Sequence, residues 1–369
     1  MKYFFFWLIF SLRLSAAELY QTGLPARCWA MGGTCITQVR GAQSLFINSA
    51  MLARMEGFDF ILAQAQVGIS KDGQNLANQL QGSSSSLTLQ DIAPLYGKTI
   101  TADVTARAGV ALPYFGFGAY SSNYLSQTFI DPTFPTFNAH YISDYGYFLA
   151  GAFPLSANAS LGITARHARR WGGDKDINVS SLITASGSSV IDQNFPDHGV
   201  GNALDLSFAT SFPNAALKPT IAIVWNDVGS TRYQMTSGTQ DPPAQKDNLI
   251  FGASIENQFL FGTWTNALEY KYITTNNEDF SKKLSVGTEL SYGVVDLRAG
   301  FSQGYLTYGG GIDLWVLKAD VAYYAVELGS YAGQTINDRY QYSITLEFDL
   351  DQSFKLDLGG KKRRLKQRR

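Results

Sequence analysis

Apolar and polar residues alternate with period two along most of the chain. In 338–350, Tyr340, Tyr342, Ile344, Leu346, Phe348 and Leu350 share one face, and Arg339, Gln341, Ser343, Thr345, Glu347 and Asp349 share the other. Such alternation predicts a β-strand with one greasy and one wet face. The pattern recurs in 317–326, 294–305 and 283–293. Further strands are predicted at 306–316, 262–273, 247–259, 217–228, 200–212, 159–171, 137–155, 114–129, 100–112 and 57–69, fourteen in all. Two of them are irregular. Gln64 and Gln66 break the phase set by Phe58, Phe60 and Leu62, which a β-bulge would repair, and 137–155 is long enough to hold a turn.

The spacing of these strands carries more information than any single one. The long gaps, 70–99, 172–199 and 229–246, follow the first, fifth and seventh strands, while gaps after even-numbered strands are short. Bacterial membrane barrels have even strand numbers, short periplasmic turns and long external loops. A soluble β-sandwich also alternates along its strands, but has no reason to sort loops by side. The predicted fold is therefore all-β: a transmembrane antiparallel barrel of fourteen strands over 57–351.

The two ends support export. Met1-Lys2, an apolar run from Tyr3 to Leu12 and Leu14-Ser15-Ala16-Ala17 describe a signal peptide, residues 1–17, cut after Ala17. That run is too short for a spanning helix, which needs about 20 apolar residues. The expected location is the outer membrane, in contact with its lipid. At the other end, 352–369 forms a basic tail containing Lys361, Lys362, Arg363, Arg364, Lys366, Arg368 and Arg369. Without these and the two cations of the signal, the net charge of −1 becomes −10. So acidic a body argues against a nucleic-acid partner. The tail would lie in the periplasm, as a contact for a partner protein or peptidoglycan, or as a solvated end.

Residues 18–56 do not alternate. Ala30-Met31-Gly32-Gly33 and Leu45 to Ala53 read as turns and short helices, too long a stretch for a simple tail and suited to a plug inside the lumen. Cys28 and Cys35 lie here, and an oxidising compartment makes a disulfide between them plausible. Ala26-Arg27-x-x-Ala30-Met31-Gly32-Gly33, then Leu45-Phe46-x-Asn48-x-Ala50-x-Leu52-Ala53, resembles the N-terminal motif of FadL-like barrels, with PorV and TraF-like branches nearest in pattern. The family form has Asn-Pro-Ala-Gly-Leu where this chain has Asn48-Ser49-Ala50-Met51-Leu52. The resemblance implies a fourteen-strand barrel with an N-terminal hatch, and makes Met31, Gly32, Gly33, Phe46, Asn48 and Leu52 its hatch and ligand residues. FadL-type members pass fatty acids and other hydrophobic compounds; PorV-type members serve protein secretion and TraF-like ones conjugation.

On the polar faces stand Asp103, Arg107, Arg166, Glu269, Glu289, Asp296, Arg298, Asp313 and Asp320. Lys or Arg on the lipid face costs about 2–4 kcal/mol at mid-bilayer, so these faces must look inward. Mixed signs on neighbouring strands predict lumenal ion pairs that anchor the plug; a selective pathway of charges is the alternative. The glycines of Tyr308-Gly309-Gly310-Gly311 are expected to let the hatch approach the wall. None of His140, His167 and His198 is followed two residues on by Ser, and no Gly-x-Ser-x-Gly elbow occurs. Asp197-His198 reads as a solvated turn. The chain is read as a non-enzyme without cofactor or metal. The expected function is passage of hydrophobic, fatty-acid-like small molecules; the alternative is an accessory barrel of a secretion or conjugation machine.

Overall fold

The computed structural model describes residues 18–19, 21, 23–82, 93–131, 136–178, 187–260, 262–276 and 278–350; the signal and the basic tail lie outside them. The strands are β1 (Phe58–Ser70), β2 (Thr99–Leu112), β3 (Phe115–Asp131), β4 (Thr136–Pro154), β5 (Ala159–Asn178), β6 (His198–Ser211), β7 (Thr220–Asn226), β8 (Gln234–Ser237), β9 (Asn248–Phe259), β10 (Gly262–Tyr270), β11 (Leu284–Tyr292), β12 (Val295–Ser302), β13 (Tyr305–Leu314), β14 (Leu317–Glu327) and β15 (Ile336–Leu350). Each pairs antiparallel with its neighbours, and β1 pairs with β15. The sheet therefore closes. Fourteen strands make the wall, and β8 is a short extra strand on the upper end of β6.

The irregular strands resolve in different ways. On β1 the register with both neighbours shifts after Ile61, which places Asp59, Ile61, Gln64 and Gln66 inside and leaves Leu62 63% exposed outside. The bulge reconciles the two phases. β4 holds no turn; it is one strand of 19 residues. β3, β4 and β5 are far longer than β11 to β13, which have 8 to 10 residues, so one side of the barrel stands taller. The outer connection between β12 and β13 is only Gln303-Gly304, both at positive φ, where the sequence pattern ran two strands together without a gap. Such a pair closes a tight hairpin.

The outward face is apolar. Phe117, Leu149, Ile163, Phe251, Leu297 and Ile344 are each 41–60% exposed, a degree of exposure that water would punish and lipid rewards. Above this belt the same face of the tall strands is covered. Leu95, Phe129, Phe137, Tyr141 and Phe195 cluster there, as residues 93–96 and 191–195 pack against the wall. Trp171 donates its indole N–H to the Phe195 carbonyl, and His198 stacks on Trp171 with ring centres 5.3 Å apart. Asp197 is not a solvated turn residue as its sequence suggested. It is buried and accepts hydrogen bonds from the Thr239 and Gln240 N–H groups. Burial alone would raise its pKa, but these donors outweigh burial and hold it below the usual value.

Inside the wall lies the segment before β1. It contains α1 (Ala26–Ala30) and α2 (Ser44–Ile47), with single turns of tighter helix at Gly41–Gln43 and Ser49–Arg54. Its side chains form two clusters with the inner wall, one around Trp29, Ile36 and Tyr324, the other around Leu45, Leu52 and Phe148. Trp29 stacks on Tyr324 with centroids 4.4 Å apart.

Wall glycines create the room for this segment. A Cβ on Gly287 would collide with the Met31 carbonyl oxygen, and one on Gly300 would sit 2.5 Å from the Met31 carbonyl carbon. One on Gly309 would lie 2.7 Å from Ala30 Cβ. Gly310 has no such contact, and Gly311 makes room instead for Asp320 and Arg298. Gly300→Val should therefore leave the barrel closed but force the plug off its seat. Overpacking of this kind costs about 2 kcal/mol, or roughly 30-fold in the seated-to-free ratio. The expected readout is a preserved heat-dependent gel shift with faster trypsin cleavage at Arg27 or Arg40. Cleavage as slow as in the parent protein would contradict the fit described here.

Candidate functional site

The site is the seam between plug and wall. Its turn is Met31-Gly32-Gly33, which follows α1. Gly32 and Gly33 have φ of +70° and +78°, a conformation only glycine adopts without strain. A Cβ on Gly32 would stand 2.6 Å from the Val286 carbonyl oxygen and one on Gly33 2.5 Å from Lys271 Nζ. Gly32 N–H donates to Thr307 Oγ1 at 2.9 Å, and that hydroxyl donates to the Ala30 carbonyl at 3.1 Å. Lys271 Nζ donates to the Gly33 carbonyl at 2.6 Å. The backbone N–H groups of Cys35 and Ile36 both donate to the Glu269 carboxylate. Cys28 and Cys35 are joined by a disulfide that ties α1 to the chain beyond this turn.

The second half of the plug is fixed by Asn48. Its amide donates to the Ile36 carbonyl at 2.7 Å while its Oδ1 accepts from Ala50 N–H at 3.1 Å, capping the turn that follows. Ala50 also donates to Ser207 on β6 and accepts from Ser160 on β5. Leu52 is fully buried. Ser49, where the family motif has Pro, packs its hydroxyl 3.2 Å from that of Ser207.

Charge organises the inner side of the barrel. Arg298 on β12 donates to Glu289 at 2.7 Å, Asp296 at 2.9 Å and Asp320 at 2.6 Å. Arg27 of α1 grips Glu289 with two bonds of 2.8 and 2.9 Å, so one carboxylate joins plug to wall. Arg40 reaches Glu256 at 2.8 Å, and Lys318 reaches Glu347 at 2.7 Å. These groups border a cavity of about 150 Å³ below the plug, at the end where the wall has short turns. Asp313 borders it too, but its carboxylate accepts from the Trp315 N–H in a turn rather than from a cation.

A second cavity, of about 130 Å³, lies on the other side of the plug, facing the long loops. Arg166 bridges Asp205 at 2.9 Å and Asp227 at 2.8 Å, and Arg170 pairs with Asp144 at 2.6 Å beneath the Tyr233 ring. Asp144, Arg170 and Tyr233 are absent from the sequence-derived set. Arg170 lies in phase with Arg166 on the inward face of β5, whereas its neighbour Arg169 is exposed on the outer face. Asp103 sits above, accepting from Gln341 at 3.3 Å.

Arg107 differs from these cations. Its guanidinium lies over the Phe46 ring, 4.8 Å from the centroid, and donates to the Gly23 carbonyl. Its other terminal nitrogen, Nη1, is buried and has no hydrogen-bond partner among the described residues. Phe46 meets Phe148 edge-on at 5.0 Å, and Tyr120 lies beyond. A cation thus lines the cavity among three aromatic rings. Among the described residues, no three His, Cys, Asp or Glu side chains gather as a metal site.

Arg298 offers the sharpest test of the charge network. Arg298→Met removes the one cation that Glu289, Asp296 and Asp320 share. Breaking a buried ion-pair network from one side costs about 3 kcal/mol. Unfolding by urea in lipid vesicles should show that loss, and Asp320→Asn, at the more exposed end of the network, should cost less. An unchanged midpoint for Arg298→Met would mean the network holds nothing together.

No family model matches the chain, and no curated protein matches it. Solved structures do. A TodX monoaromatic hydrocarbon channel carrying the deltaS2S3 mutation matches with 14% identity and a TM-score of 0.51, covering 89% of this chain and 99% of that one. The CymD monoaromatic hydrocarbon channel matches with 11% identity and a TM-score of 0.52, covering 89% and 98%. At such identities the likeness is one of fold, and over nearly its whole length this chain has the barrel fold of those channels.

Proposed function

We propose that this protein is an outer-membrane channel that passes hydrophobic small molecules, with the N-terminal plug as its gate. The fold shared with hydrocarbon channels supports the general reading. Arg107 supports a finer one, in which the cargo is fatty-acid-like. A buried guanidinium without a carboxylate partner is costly. A carboxylate bound there would meet Nη1, while its apolar tail lay along Phe46, Phe148 and Tyr120. An uncharged hydrocarbon would use the rings but leave the cation unmet.

The second reading, an accessory barrel of a secretion or conjugation machine, draws on the seven cations of the tail, which suit an acidic periplasmic partner. One pair of variants separates the two. Arg107→Met should cut uptake of a labelled long-chain fatty acid by about tenfold, the loss of one charge-assisted contact, and spare uptake of toluene. Deleting 359–369 should leave both unchanged. Uptake of both compounds indifferent to Arg107 would refute the fatty-acid reading. Loss of a stoichiometric protein partner on deleting the tail would favour the accessory one.

A further inference from the structure

The outer face of the tall wall carries charge at one level. On β4 this face shows Phe153 and Leu149, then Tyr147 and Tyr145, all exposed, before Tyr141 and Phe137 disappear under the loops. On β5 it shows Leu161 and Ile163, then His167 and Arg169, before Trp171. Register sets Tyr147 beside His167 and His167 beside Asn202, and one step higher Tyr145 beside Arg169. Arg232 is exposed in the segment just before β8; β6 pairs Val200 with Gln234, and the same spacing carried two residues further sets Tyr233 against Gly201 and Arg232 level with Asn202, on the face that holds His167.

The level can be measured along the strand. Arg169 is eight residues above Leu161, about 20 Å for a strand tilted near 40°, close to the top of an apolar belt about 25 Å tall. A guanidinium is tolerated at that depth and strongly disfavoured lower down. Both Arg169 and Arg232 are exposed, and among the described residues neither has an ion pair. His167 is already oriented: Nδ1 lies 2.8 Å from Asn202 Oδ1, and its ring lies over that of Tyr147 with centroids 5.2 Å apart.

From this placement we infer that Arg169, Arg232 and His167 form a docking site for the phosphate of an outer-leaflet lipid. The lipid phosphate would sit at the headgroup level while its chains lie along Tyr145, Tyr147 and the belt below. Charge complementarity favours it: the patch is cationic, whereas the body of the chain is acidic. The two guanidiniums present donors suited to phosphate oxygens, and His167 lies between them and the tyrosines on the same face. This inference does not rest on the transport reading.

The full chain in detergent micelles can be titrated with a bisphosphorylated glucosamine lipid, its dephosphorylated counterpart and inorganic phosphate, with binding read by native mass spectrometry. The parent protein should hold the phosphorylated lipid. The double variant Arg169→Gln, Arg232→Gln should bind it at least about tenfold more weakly, given the attraction of each cation to an anionic surface. The dephosphorylated lipid should bind the parent no better than the phosphorylated lipid binds the variant. An unchanged heat-dependent gel shift would confirm that the variant is folded. Equal retention of both lipids, or no loss in the variant, would overturn the assignment. Inorganic phosphate binding as tightly as the lipid would overturn it too.

Discussion

A chain that crosses lipid in strands must satisfy every backbone N–H and C=O from within, because hydrocarbon offers no hydrogen bonds. Here that requirement is met by the pairing of β1 with β15, from Phe58–Leu350 to Ser70–Arg339. Closure leaves no edge and divides the side chains into two sets with opposite needs. One faces lipid and is apolar. The other faces a cylinder that must be filled with water or protein, and its composition follows from which.

In this molecule the filling is protein. The plug brings backbone and cations to a wall that offers carboxylates, hydroxyls and space. Arg27 on Glu289, Arg40 on Glu256, and the paired N–H groups of Cys35 and Ile36 on Glu269 all cross the seam. Each such contact removes a buried polar group from the unsatisfied class, where it would cost more than a made hydrogen bond gains. The glycines at 287, 300 and 309 matter for the same reason. They let backbone meet backbone, so that Gly32 can reach Thr307. Arg107 is the exception, a cation set over the Phe46 ring and held by the Gly23 carbonyl rather than by a carboxylate.

Much of this was legible in the sequence, because period two exposes the two faces directly. The strand pattern gave fourteen strands and the side-to-side sorting of loops, and the phase slip at Gln64 predicted the bulge that closes β1 onto both neighbours. Strand ends were less legible. The Gln303-Gly304 turn and the extra height of β5 leave no mark in an alternation that continues through them. Inner charges could be named, but not their partners, since pairing across strands depends on register and on a plug without periodicity. Asp313 looked like Asp320 in the sequence, yet one binds a turn N–H and the other Arg298. Asp197 looked solvated because the donors that bury it, Thr239 and Gln240, lie 42 and 43 residues away.

The most direct test of the account is electrical. A cylinder of fourteen strands emptied of its plug would conduct ions, whereas one filled and pinned as described would not. Reconstituted in a planar bilayer, the intact protein should be silent, and removal of residues 18–56 should produce steady single-channel steps. Steady conduction by the intact protein, or silence after the segment is removed, would contradict it.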